Sequence, residues 1–199
     1  TTLKDAKKQC QTFIGEAHLT KNALKEYGTP ALVNIINNRG GFPTKNFQEV
    51  YFANAESISG ETIKELYYVR SQPCKACPIG CAHLTRTPDR VGKGPEFETV
   101  WSLGAACYVH DLEKITNANY NCNEYGIDTI SAGNTIACAM ELSEKGYFDE
   151  ETLNLIDKAL GRGLKFGDAD AVLILTELMG KAEGIVEILG MGSKRLAQR

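Results

Sequence analysis

The chain has 199 residues, of which 43% are hydrophobic and 24% charged, and its formal net charge is -3. This composition is close to the globular average, so it excludes a disordered or fibrous protein, and the length is sufficient for one domain with a buried core. A weakly acidic chain without a run of Lys and Arg is not attracted to phosphate backbones, so we expect no nucleic-acid partner. No apolar run approaches the roughly 20 residues of a membrane-spanning helix, and the first residues lack a signal-peptide pattern. We therefore expect no membrane partner and a cytoplasmic location.

Periodic apolar residues predict helices through the first third of the chain. A stripe that includes Leu3, Cys10 and Phe13 predicts a helix over residues 2–15. Two short helices are predicted next, one ending at Gly28 and one restarting at Pro30. Residues 37–57 have turn-forming residues and no lasting period, which indicates a long irregular connection. A helix capped by Ser59 follows and ends before Pro73.

Helical spacing also dominates beyond residue 95, after a Gly-rich charged stretch at 88–95 that predicts a short hairpin or exposed loop. The later helices are predicted over residues 96–107, 111–121, 128–145, 149–160, 168–179 and 183–199, several of them with an Asp cap. No strand pattern of convincing length is present. The predicted fold class is therefore all-α (mainly α): a single irregular multi-helix domain over residues 1–199, with long loops around a Cys-x-x-Cys-x-x-x-Cys segment.

Three of the seven cysteines, Cys74, Cys77 and Cys81, lie within eight residues. An odd number of cysteines with this grouping favours metal ligation in a reducing compartment over a disulfide framework. Pro78 and Gly80 fix a tight turn between them, so the three sulfurs can converge on an iron–sulfur cluster. A cubane cluster needs a fourth thiolate, which this run does not contain.

Two alternatives to an iron–sulfur cluster stay open at this stage. A structural zinc site is one, although His83 stands too close in sequence to be a remote fourth ligand, and three buried thiols are the other. The remaining cysteines divide into two groups. Cys10, Cys107 and Cys138 occupy apolar helix faces and are predicted to be core residues, whereas Cys122 precedes a polar helix junction and is a candidate fourth ligand.

Three ordered motifs resemble the tungsten-dependent aldehyde:ferredoxin oxidoreductase family. They are the cysteine run at 74–81, Gly-Pro-Glu-Phe-Glu-Thr at 94–99, and Asn-Glu-Tyr-Gly-Ile-Asp-Thr-Ile-Ser at 123–131. The resemblance extends over essentially the whole chain and implies an internal fragment, the second and helical domain of a three-domain subunit. A chain that opens at Thr1 inside a helix-like segment agrees with that expectation.

The resemblance implies a tungsten (or molybdenum) ion held by two pterin dithiolenes, beside one [4Fe–4S] cluster. It implies that Cys74, Cys77 and Cys81 are three cluster ligands, with the fourth cysteine in a third domain beyond Arg199. It also implies that the pterin is bound by residues of the third motif, namely Asn123, Gly126, Ile127 and Asp128. This segment departs from the family pattern, which has Asp and Leu where this chain has Asn123 and Ile127.

The second motif implies an acid/base role for Glu98, which would take a proton from water or an aldehyde hydrate. The alternative is that Glu96 and Glu98 place negative charge at a helix N-terminus, where the helix dipole favours it. The Glu-x-x-His iron site of some family members is absent, because this chain has Asn117 and Tyr120 at the corresponding spacing. His83 and His110 are predicted not to be ligands.

The implied reaction is the oxidation of aldehydes to carboxylic acids with ferredoxin as the electron acceptor. The expected partners are ferredoxin, the aldehyde substrate and the other domains of the same subunit, with a homo-oligomer left open. The isolated chain is expected to lack both cofactors and to be inactive. Two competing functions are a subunit of a tungsten-type aromatic acyl-CoA reductase and a non-catalytic helical module that binds zinc.

Overall fold

The computed structural model describes residues 2–198, without the side chains at 186 and 187, and confirms the mainly α fold. Four α-helices precede the sheet, together with a π-helix at Leu19–Ala23 and two 3-10 turns, Thr29–Ala31 and Ala55–Ile58. The four helices are α1 (Leu3–Glu16), α2 (Leu24–Tyr27), α3 (Leu32–Asn38) and α4 (Gly60–Tyr67). Residues 39–54 form the predicted irregular connection. Within residues 2–198, no helix is both long and apolar enough to cross a membrane.

Helix α1 is formed by local signals rather than by burial. Its N-terminus carries a capping box, in which the Thr2 side chain accepts from the Asp5 backbone N–H and Asp5 accepts in return. The predicted apolar stripe is present but uncovered among residues 2–198, since Leu3 is 88% exposed and Phe13 75% exposed. The prediction that Cys10 is a core residue is therefore wrong, because the helix face that carries it is exposed.

A small antiparallel sheet lies between α4 and the later helices. Its strands are β1 (Tyr68–Ser71), β2 (His83–Arg86) and β3 (Val91–Lys93), in the order β1-β2-β3. The stretch 88–95, predicted to form a short hairpin or exposed loop, contains β3 and most of the turn of the β2–β3 hairpin, whereas β1 and β2 lie outside it and were missed by the sequence analysis. Strands of three or four residues are too short to show the alternation that identifies a strand in a sequence.

Seven further α-helices follow the sheet within the described residues. They are α5 (Phe97–Leu103), α6 (Leu112–Tyr125), α7 (Thr129–Glu144), α8 (Glu150–Leu160), α9 (Ala169–Lys181), α10 (Val186–Leu189) and α11 (Ser193–Leu196). The single helix predicted over 183–199 is wrong, because a turn that contains Gly190 and Gly192 divides it into α10 and α11. Helix α5 ends at Leu103, and the Ala105–Cys107 segment that was predicted to continue it is a 3-10 turn.

The core lies where α5 packs on α7 and α6 packs on α9. Its fully buried side chains include Val100 and Leu103 from α5, Ile136 and Met140 from α7, and Leu175 from α9. Helices α5 and α7 approach each other closely at Gly133. A Cβ atom at Gly133 would lie 2.5 Å from the Ser102 carbonyl carbon, which is closer than any side chain tolerates.

The Gly133→Ala variant is expected to lower the free energy of unfolding by about 1–3 kcal/mol, because the added methyl group forces α5 away from α7. Gly15→Ala is the matched control, since a Cβ atom there has nothing within 4 Å. Chemical denaturation followed by circular dichroism measures both variants. If the two variants had the same free energy of unfolding, the backbone at Ser102 would be able to move away from the added methyl group without loss of stability, which would contradict the prediction.

Candidate functional site

Residues 72–82, here called the cysteine loop, connect β1 to β2 and carry Cys74, Cys77 and Cys81. The base of the loop is closed by a backbone hydrogen bond in which the Gln72 N–H donates to the Ala82 carbonyl at 2.8 Å. The strand pairing continues from this bond, since Ser71 lies opposite His83. All three cysteines therefore lie in the loop that connects the two strands of this hairpin.

The conformation of the cysteine loop directs backbone N–H groups toward sulfur. The Cys77 N–H donates to the Cys74 carbonyl at 3.0 Å, and a turn follows in which Gly80 has a φ of 71°. Backbone N–H groups of Gly80 and Ile79 donate to Cys77 and lower the pKa of its thiol. This is the environment that an iron–sulfur cluster prefers, because its sulfurs accept such hydrogen bonds.

The three loop cysteines lie close enough to influence one another. Burial raises the pKa of Cys81, and the Glu96 carboxylate and the thiolates of Cys77 and Cys74 raise it further. Cys74 is exposed, while Cys77 and Cys81 are half-buried. Within the described part of the chain, no three His, Cys, Asp or Glu side chains are grouped as ligands of one metal ion. A cubane binds each thiolate through a different iron, so it accommodates sulfurs that are more widely spaced.

The other cysteines are separate from this loop. Cys107 and Cys122 are buried, Cys138 is half-buried and Cys10 is exposed. Burial, with a further contribution from the Asp128 carboxylate, raises the pKa of Cys122 to about 11. Cys122 is therefore a buried thiol of α6 that is protonated in the absence of a metal, and its candidacy as a fourth ligand stays a prediction.

The second motif packs against the cysteine loop. Gly94, Pro95 and Glu96 line a cavity of about 10 Å³ together with Cys81 and His83. Glu96 is held by the Thr29 hydroxyl, which donates to it at 2.6 Å, and by an ion pair with Lys93 at 3.4 Å. Its carboxylate therefore has a structural role in joining the segment before α5 to the Thr29–Ala31 turn and to β3.

Glu98 lies in the first turn of α5, and its side chain is exposed among residues 2–198. The next residue, Thr99, is buried and shares a hydrogen bond with the Thr129 hydroxyl at 2.9 Å. One turn further along, the Ser102 hydroxyl donates to the Thr129 carbonyl at 3.0 Å. These two bonds hold the start of α5 beside the start of α7.

The third motif forms the junction between α6 and α7. Gly126 ends α6 in the left-handed conformation with a φ of 69°, which a side chain would strain. Asp128 begins α7 by accepting a 2.7 Å hydrogen bond from the Ser131 N–H, and hydrogen bonding from the Ser131 side chain and backbone lowers the pKa of its carboxyl. Asn123 is exposed and Ile127 is half-buried, so the junction offers polar groups and backbone at the surface.

The structure links all three motifs in series. The cysteine loop contacts the Gly-Pro-Glu segment, and that segment leads into α5, whose first turn is bonded to the α6–α7 junction. Sequence reasoning missed Thr99 and Thr129, because their bond depends on tertiary packing. Of the two histidines predicted not to be ligands, His83 lines the small cavity beside Cys81 with its Nε2 3.1 Å from the Lys25 carbonyl, and His110 is exposed.

Three cysteines on one loop, with backbone N–H groups that donate to a sulfur, are the type of site found in iron–sulfur proteins. The chain belongs to the aldehyde ferredoxin oxidoreductase family, whose model for domains 2 and 3 matches residues 5–199.

Similar proteins agree with this assignment. The chain is 45% identical over 177 residues to the tungsten-containing aldehyde ferredoxin oxidoreductase of Pyrococcus furiosus, and 43% identical over 178 residues to that of Thermococcus kodakarensis. Each match includes 88% of this chain but 28% of the relative, so the chain spans less than a third of their length. Its fold is similar to that of the active-site complex BamBC of benzoyl coenzyme A reductase, with a TM-score of 0.63 and 21% identity. That match includes 89% of this chain and 25% of the reductase chain.

Proposed function

We propose that the full-length protein is a cytoplasmic tungsten-pterin, [4Fe–4S] oxidoreductase that converts aldehydes to carboxylic acids and passes the electrons to ferredoxin. The chain of 199 residues is proposed to be its second domain. The observation that carries the proposal is the contact between the cysteine loop and the segment leading to Glu98, in a chain that matches this family from residue 5 to residue 199.

The cysteine loop is proposed to supply three of the four cluster thiolates. Cys74, Cys77 and Cys81 are on one loop, and the N–H groups of Gly80 and Ile79 stabilise the thiolate form of Cys77. The fourth thiolate is proposed to come from another domain. Zinc is less well supported, because the imidazole of His83, which lies beside Cys81, faces the Lys25 carbonyl and packs edge-on against Tyr68.

The α6–α7 junction is proposed to bind the pterin. Gly126 has no side chain there, so a planar ring can approach the backbone, while Asn123 and Asp128 offer oxygen acceptors to ring N–H groups. One oxygen of Asp128 already accepts from Ser131, so the cap also fixes the direction of the carboxylate. The tungsten–pterin group, when bound, supplies the two-electron oxidation chemistry.

Glu98 is proposed to act as the acid/base. Oxidation of an aldehyde hydrate to a carboxylic acid releases two electrons and two protons, so a base near the substrate is needed. Glu98 is exposed in this chain and its helix is anchored beside the pterin junction through Thr99. Another part of the subunit would have to cover Glu98 to desolvate it and to exclude water from the reaction.

Metal analysis of the full-length protein, purified without oxygen, tests the proposal. We expect about four iron and four sulfide per chain, as a cubane requires, together with tungsten or molybdenum. We also expect aldehyde-dependent reduction of a small redox dye. Zinc as the sole metal, or the absence of any metal, would overturn the proposal and leave a structural helical domain.

A further inference from the structure

The outward face of the sheet is cationic. In β2, His83 and Thr85 are buried while Leu84 and Arg86 point outward, and the strand register extends this face to the neighbouring strands. Arg70 and Lys93 lie opposite Leu84, and Val91 lies opposite Arg86. The cationic sheet face, as we call it, consists of Arg70, Leu84, Arg86, Val91 and Lys93.

The positive charge of this region contrasts with the rest of the chain. Residues 68–93 contain five Lys and Arg residues and one acidic residue, whereas the whole chain has a net charge of -3. The cations are spread along the sequence, so they form no run, and only the strand pairing brings them together. This clustering was missed by the sequence analysis.

The arginines of the cationic sheet face are not used to hold the fold together. Within residues 2–198, neither Arg70 nor Arg86 has a carboxylate partner, and Arg70 makes only a 3.4 Å bond to the adjacent Ser71 carbonyl. Arg90 is different, because it donates to Asn121 and lies over the Tyr120 ring, which is a structural role. Lys93 pairs with Glu96 at 3.4 Å, and Asp89 is an exposed carboxylate in the adjoining turn.

The cationic sheet face is continuous with the cysteine loop. Strand β1 leads directly into the loop and β2 leads out of it, so the two strands that carry Arg70 and Arg86 also hold Cys74, Cys77 and Cys81. Within the loop, the exposed Lys75 adds a further positive charge between Cys74 and Cys77. A protein seated on this face would therefore lie next to the loop from which electrons are proposed to leave.

We propose that the cationic sheet face, together with Lys75, docks an acidic electron-carrier protein. This inference rests on the proposed function and specifies where the ferredoxin binds. Charge complementarity speeds and orients such encounters, and transient redox interfaces are small, so a three-stranded face is sufficient. Oxidation of one aldehyde releases two electrons, so a carrier that accepts one electron at a time would have to dock twice for each aldehyde.

Steady-state kinetics of the full-length enzyme with an acidic ferredoxin test the docking site. The Arg70→Glu/Arg86→Glu double variant is expected to lower kcat/KM for ferredoxin at least about tenfold at low ionic strength, and to weaken its dependence on salt. Metal content and turnover with a small uncharged dye are expected to be unchanged. The matched control is Lys7→Glu/Lys158→Glu, which makes the same change in charge at exposed positions of α1 and α8.

The milder Arg70→Gln/Arg86→Gln variant should lower kcat/KM for ferredoxin by a smaller factor. Ferredoxin kinetics equal to those of the Lys7/Lys158 control would overturn the docking proposal. Loss of metal, of folding or of dye turnover in both arginine variants would also overturn it, since it would mean that another domain covers this face. A wild-type protein without metal or dye activity refutes the proposed function instead, so the two failures are distinguishable.

Discussion

The Cys77→Ser variant of the full-length protein is expected to lose the proposed iron–sulfur cluster and, with it, the proposed electron transfer to ferredoxin. A serine hydroxyl stays protonated near neutral pH and is a hard ligand, so it replaces a thiolate poorly on iron. The N–H groups of Gly80 and Ile79, which stabilise the Cys77 thiolate, would face a neutral hydroxyl in place of an anionic acceptor. Iron and sulfide analysis, together with the visible absorption of the cluster, measures the loss.

Cys10→Ser is the control for this prediction, because Cys10 is an exposed thiol on α1, outside the cysteine loop. It should retain full iron and sulfide. If the Cys77→Ser variant also kept a full complement of iron, Cys77 would not be a ligand, and the assignment of the loop would have to be abandoned.

The Glu98→Gln variant is expected to lower kcat for aldehyde oxidation by about 10²- to 10⁴-fold, because glutamine has the same size but cannot accept the proton. Iron and tungsten content should not change. Stability should change little, since a carboxylate near an exposed helix N-terminus contributes about 0.3–1 kcal/mol. A large fall in kcat with an unchanged melting temperature would therefore indicate a catalytic role for Glu98. A change in melting temperature alone would indicate that Glu98 only stabilises the helix N-terminus.

Glu151→Gln is the matched control, because Glu151 is an acidic side chain in the first turn of α8, as Glu98 is in α5. Both substitutions remove one negative charge from a helix start. Equal kcat values for the two variants would show that Glu98 has no catalytic role and only places negative charge at the N-terminus of α5.

Helix positions were predictable where the signals are local. Asp111, Asp128, Asp149 and Asp168 each accept a hydrogen bond from a backbone N–H in the first turn of α6, α7, α8 and α9, as their positions in the sequence indicate. The cysteine loop was predictable for the same reason, since the spacing of its cysteines and the intervening Pro78 and Gly80 are contained in eight residues.

The features that were missed depend on which segments meet in space. The apolar stripe of α1 correctly indicated a helix, but periodicity does not reveal whether a face is covered, and Cys10 is exposed. The bond between Thr99 and Thr129 joins residues that lie 30 apart in the sequence. The cationic sheet face depends on the register of β1 with β2, which three- and four-residue strands do not determine on their own.

The hydrogen bond between Gln72 and Ala82, at the base of the cysteine loop, has an entropic consequence. Because the hairpin already holds the two ends together, an inorganic group that binds Cys74, Cys77 and Cys81 does not have to restrict an open chain. The loss of conformational entropy on closing a flexible loop grows with the length of the loop. Here the loop is already closed when the chain folds, so binding of the inorganic group does not include this loss. If the loop holds the proposed cluster, a polypeptide that has lost it in air should therefore keep the hairpin and should take up iron and sulfide again without refolding.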